Sequence, residues 1–246
     1  QRQGEREQSW IYWGDGQGWS EERKTPLASF RACDVAVGDL DRDGCAEVLL
    51  CQSHTADSFS HAALVYRGSP QGLASEPVRL PGEDARRVLL ARVWPDRPPH
   101  VVLVNHMARG KLGNPDATLY LGGPDGFSPE RRWQVAGWGA VEALGCDLND
   151  DALPDLVLAN ASENSVHRDP GSYLFYGRAG ELSRQPSMKL PTTRAHGAAC
   201  ADLNRDGFLD LVFCGFDNPD LLFFYGGSGG FTREPVRLRM ERDGVV

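Results

Sequence analysis

The stretch DLDRDGCAE, Asp39 to Glu47, returns as DLNDDALPD from Asp147 to Asp155 and as DLNRDGFLD from Asp202 to Asp210. Each copy sets acidic or amide side chains at its first, third, fifth and ninth positions. A run of small and apolar residues follows: VLLCQ after Glu47, LVLAN after Asp155, LVFCG after Asp210. Asp, Asn and Gly in a tight cluster mark a turn, and the Val, Leu and Phe run after it has the length and composition of a strand.

A second marker keeps the same phase. An aromatic residue stands two positions before a glycine at YWG (Tyr12), YRG (Tyr66), YLG (Tyr120), FYG (Phe175) and FYG (Phe224), with the glycines 54, 54, 55 and 49 residues apart. Short runs such as TPLAS, EPVRL, RRWQV, SMKL and again EPVRL follow the markers. Self-similarity at a period near 54 residues is the signature of a repeat architecture. The 108 residues between Asp39 and Asp147 are twice that period, and a degenerate copy, ARVWPDRPPHVVLVN, lies midway. There His100 takes the place of Asp155, while Arg92, Trp94 and Asp96 stand where Asp147, Asn149 and Asp151 stand. Arg92 and Arg97 suggest a guanidinium in place of an ion, paired with Asp96 or Asp116.

Each repeat reads as four short strands: an inner one such as DVAVGDL, one after the acidic turn, one ending in the aromatic, and the VRL-type run. Four antiparallel strands per repeat, set radially, predict an all-β fold, a β-propeller of four-stranded antiparallel blades with about 54 residues per repeat. The expected organisation is a single propeller domain or propeller segment over 1–246, with a partial blade at 1–29 and blades at approximately 30–82, 83–137, 138–192 and 193–246. Five aromatic-glycine loci against four acidic-turn loci leave two arrangements open, an imperfectly closed five-bladed ring or a segment of a larger propeller.

Composition narrows the function classes. The formal charge of −8, from 34 acidic and 26 basic residues, and the lack of a basic run interleaved with aromatics argue against nucleic acid. No apolar stretch approaches the roughly 20 residues that span a bilayer, so no membrane insertion is expected. Six cysteines without CxxC pairs argue against zinc. Cys51 and Cys214 occupy equivalent positions and read as small buried residues, while Cys200 and Cys214 flank one turn, which leaves a cross-hairpin disulfide open.

The acidic turns suit a hard divalent cation. Two unit negative charges about 4 Å apart repel by about 4 kcal/mol at an effective dielectric near 20, and Ca2+ takes six to eight oxygens. The expected ligands are Asp39, Asp41, Asp43, the Cys45 carbonyl and Glu47; Asp147, Asn149, Asp151, the Leu153 carbonyl and Asp155; and Asp202, Asn204, Asp206, the Phe208 carbonyl and Asp210. Two or three structural calcium sites are expected, the middle one handicapped by Ala152 where Gly44 and Gly207 stand in the others. An EF-hand is excluded, because Leu50, Leu158 and Phe213 replace its bidentate position-twelve glutamate and strand-like runs replace its helices.

DLDRDGCAEVLL, DLNDDALPDLVLAN and DLNRDGFLDLVF, each followed by an aromatic-glycine segment, resemble the FG-GAP/VCBS repeats of the integrin-alpha N-terminal type of β-propeller. The resemblance implies that the acidic turns join the first two strands of a blade and bind calcium on one face, with ligand binding on the other. Sites of this kind suit an extracellular, cell-surface or periplasmic setting.

On that other face the candidate ligand residues are Arg31, Arg86, Trp138, Arg194 and His196, with Phe30, Gln52, His54, Asp84, Asn105, His106, Asn160 and His167 around them. Aromatics, amides and arginines there point to a carbohydrate or protein ligand, or to other parts of a larger protein. Trp13, Trp19, Tyr66, Tyr120 and Phe224 recur in phase and read as packing between blades. Asn160-Ala161-Ser162 fits a glycosylation sequon. No HExxH or P-loop is present, so the reading is non-enzymatic. A polysaccharide lyase on a calcium propeller and a purely structural part of a larger surface protein are the competing classes.

Overall fold

The computed structural model describes residues 8–91, 98–108, 113–161, 169–178 and 181–240, and all of its regular structure is β. A two-stranded hairpin comes first, β1 (Gln8–Tyr12) against β2 (Lys24–Ala28). Four antiparallel sheets follow, each of four strands in chain order. The first holds β3 (Ala32–Gly38), β4 (Glu47–Gln52), β5 (Ala63–Tyr66) and β6 (Val78–Leu80). The second holds β7 (Ala85–Ala91), β8 (His100–Asn105), β9 (Ala117–Tyr120) and β10 (Arg132–Val135).

In the third sheet are β11 (Ala140–Cys146), β12 (Asp155–Asn160), β13 (Ser172–Phe175) and β16 (Met188–Leu190). A short extra hairpin, β14 (Gly177–Arg178) with β15 (Glu181–Leu182), interrupts it. The expected pattern of four strands per repeat lacked this hairpin. The fourth sheet is β17 (Ala195–Ala201), β18 (Asp210–Gly215), β19 (Asn218–Phe224) and β20 (Val236–Arg239).

The second strand of each of the first three sheets is buried along its whole length, which explains why these runs read as continuously apolar. One face of each sheet packs on the next. Leu49, Val65 and Val78 meet Val101, Leu103 and Tyr120; Val102, Leu119 and Trp133 meet Leu156, Leu158 and Phe175; Val157, Leu174 and Met188 meet Leu211, Phe213 and Phe224. The hairpin takes the place of a preceding sheet, setting Ile11 and Leu27 against Val48, Leu50 and Leu64. The equivalent triad of the fourth sheet, Val212, Phe223 and Val236, is aligned across its strands, with Val236 54% exposed.

The inner strands run side by side, β3 next to β7, β7 next to β11, β11 next to β17. Arg87 joins three of them, pairing with Asp34 at 3.4 Å and with Glu142 at 3.1 Å, while the Val88 amide donates to Asp34 at 2.8 Å. Every inner strand begins with a bulge, between Ala32/Asp34, Ala85/Arg87, Ala140/Glu142 and Ala195/Gly197. A left-handed residue precedes each one: Arg31, Asp84, Gly139 and Arg194, with φ of 46°, 45°, 61° and 45°.

Two expectations are corrected by packing. Tyr66, Tyr120 and Phe224 are buried between sheets, and the two tyrosine hydroxyls donate to the Ala28 and Pro81 carbonyls of the preceding unit. Trp13 and Trp19, in phase with them, are 43% and 74% exposed instead, because the hairpin has no inner strands to pack on. Cys200 and Cys214 do not face each other, since Cys200 lies opposite Leu211 and Cys214 opposite Gly197. Cys200 instead lies beside Cys146 on the neighbouring inner strand, and all six cysteines are free thiols. Cys51 is buried as expected, whereas Cys214 is half-buried on the outer face of the last sheet.

Candidate metal centre

Each acidic turn links an inner strand to the second strand of its sheet, and all three adopt one backbone shape. Positive φ recurs at the fourth position, at Arg42 (65°), Asp150 (59°) and Arg205 (63°), and at the sixth, at Gly44 (90°), Ala152 (64°) and Gly207 (91°). The first side chain caps the turn. Asp39 accepts from the Asp43 and Gly44 amides, Asp147 from Asp151 and Ala152, and Asp202 from Asp206 and Gly207, at 2.7–3.1 Å. The third and fifth side chains make the same kind of short-range bond, from Asp43 to Asp41 and from Cys45 to Asp43 in the first turn.

These bonds turn the carboxylates toward one another. In the first turn Asp39, Asp41 and Asp43 each place an oxygen within 4.8 Å of the others. Asn149 and Asn204 soften the charge of the other two turns, and each amide donates to the fifth-position aspartate, at 3.0 and 2.9 Å. The first turn therefore sets carboxylates at all three converging positions, and its donor set, all oxygen, fits calcium.

Ala152 adopts the left-handed conformation at a cost that glycine avoids. We expect Ala152→Gly to stabilise the protein by about 0.5–1 kcal/mol, the strain relieved less the backbone entropy that glycine brings. A melting temperature that stays put or falls would show that the turn holds this shape without strain.

The ninth position does something that spacing did not foretell. Its carboxylate is buried in all three turns and bonds two backbone amides, one in the turn and one at the glycine of the aromatic marker. Glu47 accepts from Leu40 (2.6 Å) and Gly68 (3.2 Å), Asp155 from Leu148 (2.8 Å) and Gly177 (2.7 Å), and Asp210 from Leu203 (2.9 Å) and Gly226 (2.9 Å). Burial pushes the Glu47 and Asp155 carboxyls up, and these amides offset only part of that rise. In the degenerate repeat His100 Nδ1 accepts from Gly122 at 3.3 Å, so an imidazole makes the same bond to the marker glycine.

The marker glycines are explained by the same contact. A Cβ on Gly68, Gly122, Gly177 or Gly226 would fall far inside contact with the carbonyl oxygen of Ala46, Pro99, Pro154 or Leu209. None of the four has a positive φ, so space and not backbone conformation selects glycine. The two repeated markers are thus two halves of one junction.

Arg92, Trp94, Asp96 and Arg97 lie outside the described residues. Asp116 immediately precedes β9 and accepts from the Gly137 amide at 3.1 Å.

On the opposite end of the sheets the proposed ligand residues take repeat-equivalent places. Arg31 and Arg194 precede the bulges, Arg86 and His196 are the bulged residues, and Trp138 stands just before Gly139. Arg194 and His196 share one ring: the guanidinium lies 4.7 Å from the Phe216 centroid and the imidazole 5.1 Å, while Arg194 also pairs with Asp217. Arg86 is held at 3.1 Å by the fully buried Asp84, which also accepts from Ser53 and the His54 amide. Arg31, Arg86 and Trp138 stand on three different sheets. His167 lies outside the described residues.

The amides at this end are structural. Gln52 bonds the Phe30 amide and Ala62 carbonyl, Asn105 the Glu83 amide and Asp116 carbonyl, and Asn160 the Trp138 amide and Gly171 carbonyl. Each clamps the loop entering its sheet to the loop between its second and third strands. Asn160 is fully buried, so the sequon does not present an acceptor in the folded protein. A polar residue ending each buried strand was the signal available in sequence.

Residues 147–213, from the second acidic turn into β18, match the family model of the FG-GAP-like repeat. No curated protein sequence matches the chain. Among solved structures, BBS1N, crystallised in complex with ARL6DN, superposes with a TM-score of 0.53 at 12% identity over 88% of this chain. The alignment spans 59% of that protein's chain. The biofilm matrix protein Bap1 of V. cholerae aligns with a TM-score of 0.47 at 12% identity, over 82% of this chain and 36% of its own. At 12% identity the likeness to BBS1N speaks for fold alone. Repeat match, sheets and turns together define an FG-GAP/VCBS-type β-structure with a propeller-like architecture.

Proposed function

We propose that the protein is a calcium-stabilised, non-enzymatic binding module that works outside the cytosol and presents a carbohydrate or protein ligand surface at the end of its sheets remote from the metal. The observation that carries this reading is the convergence of Asp39, Asp41 and Asp43 in a turn whose backbone shape is repeated twice more. In it, Asp39, Asp41, Asp43 and the Cys45 carbonyl hold the first ion, with the corresponding residues at Asp147 and Asp202 holding weaker ones. The ninth-position carboxylates contribute any lone pair left by their backbone bonds. The ion neutralises charge and braces the inner hairpin; it supplies no chemistry. Extracellular calcium sites work at about 10⁻⁴–10⁻³ M, concentrations the cytosol does not offer.

Calorimetry on chelator-stripped protein tests this. Two or three binding events with calcium are expected, with a rise in melting temperature. The first turn should fill first, because a carboxylate, Asp41, stands at the third position where the others have Asn149 and Asn204. Silence up to about 10 mM calcium, well past the extracellular range, would leave the turns as metal-free caps and end the reading.

A further inference from the structure

Resting on that binding-module reading, the geometry points to a saccharide site, for sugars without carboxylates, in the cleft between the first and second sheets. The cleft has a volume of about 480 Å³ and opens at the end of the sheets away from the acidic turns. That volume lies in the usual range for small-molecule sites, roughly 300–1,000 Å³.

The floor is built and rigid. Asn105 and Thr118 are both more than nine-tenths buried, and the Asn105 amide donates to Thr118 Oγ1 at 3.0 Å. Thr118 Oγ1 donates in turn to Gln134 Oε1 at 3.3 Å, which leaves the Gln134 amide nitrogen aimed at other acceptors. Four side chains form the walls: Glu83, Asp116, Arg132 and Gln134.

Their bonding capacity is unspent. Among the described residues the Glu83 carboxylate has neither hydrogen bond nor ion pair, and Asp116 uses one oxygen, accepting from the Gly137 amide. Arg132 is steadied by one bond, from Nη1 to the Tyr120 hydroxyl at 2.9 Å, and keeps its other donors. Carboxylates only accept, while guanidinium and amide nitrogens only donate. A ligand that satisfies both at neighbouring points needs donors and acceptors side by side, which each hydroxyl of a sugar ring supplies on one atom. Two carboxylates against one guanidinium leave the walls with an excess negative charge, which repels uronates. A floor already ordered before binding lowers the entropic cost of binding.

Calorimetry with cellobiose, maltose, mannobiose, diacetylchitobiose and digalacturonate, on calcium-loaded protein, tests the site. At least one neutral disaccharide is expected to bind and digalacturonate is not. Glu83→Gln and Gln134→Ala should each weaken that binding roughly tenfold, as loss of one ligand hydrogen bond does, with melting temperatures checked for folding. No heat from any neutral disaccharide up to about 10 mM, ten times a 1 mM Kd, overturns the proposal, and so does preferential binding of digalacturonate. Binding that both variants leave unchanged removes the sugar to another surface and overturns the cleft while sparing the binding-module reading. Loss of the calcium response with sugar binding intact would do the reverse.

Discussion

Replacing Asp210 with alanine is expected to cost about 3–5 kcal/mol in chelator-containing buffer, a loss that has nothing to do with metal. Both of its oxygens accept backbone amides, from Leu203 and Gly226, and the side chain is fully buried. Hydrogen bonds to a charged group contribute about 1.5–3 kcal/mol each, and each amide left without a partner in the interior adds a desolvation cost of its own. Against a total stability of about 5–15 kcal/mol, the variant sits close to unfolding at room temperature. Asp206→Ala is the contrast. Asp206 lies in the exposed turn and accepts only short-range bonds, so its loss should cost about 1 kcal/mol in chelator. It should abolish the calcium-dependent gain at that turn. Urea unfolding of both variants, with and without calcium, separates the two roles. An Asp210→Ala protein within about 1 kcal/mol of the parent in chelator would mean that the two amides find other partners, and the structural tie would be wrong.

The second large effect concerns glycines that look alike in sequence. Gly226→Ala is expected to lose about 3 kcal/mol or more, because the new methyl group would press into the Leu209 carbonyl and neither chain can yield without breaking the Asp210 tie. Gly14→Ala, at the same place in the first aromatic-glycine marker, should stay within about 0.5 kcal/mol. There a Cβ would meet the Trp19 ring at 3.5 Å, an ordinary contact, since the hairpin has no acidic turn beneath it. Equal urea midpoints for the two variants would show that the marker is a turn signal common to all five places and not a contact point in four of them.

Much of this architecture is legible in the chain because its causes are local. A turn that needs left-handed backbone at its sixth position takes Gly44 and Gly207 there, and Asp and Asn at its first, third and fifth positions accept its own amides. A strand buried on both faces selects an unbroken apolar run, and the period follows from repeating the unit. Sequence therefore determined the repeat, the strand order within each sheet, the three acidic turns and the handicap at Ala152, which does adopt a φ of 64°. Tertiary structure alone decided the contacts between residues distant in the chain. It assigned the ninth carboxylate to the marker glycine 16 to 22 residues on, turned Gln52, Asn105 and Asn160 from candidate ligands into clamps, and set Cys200 against Cys146 in place of Cys214. It also opened a cleft between two sheets. Spacing along a strand tells which face a side chain takes, but which other strand meets that face depends on how the sheets stack, and a residue pattern within one repeat carries no record of that.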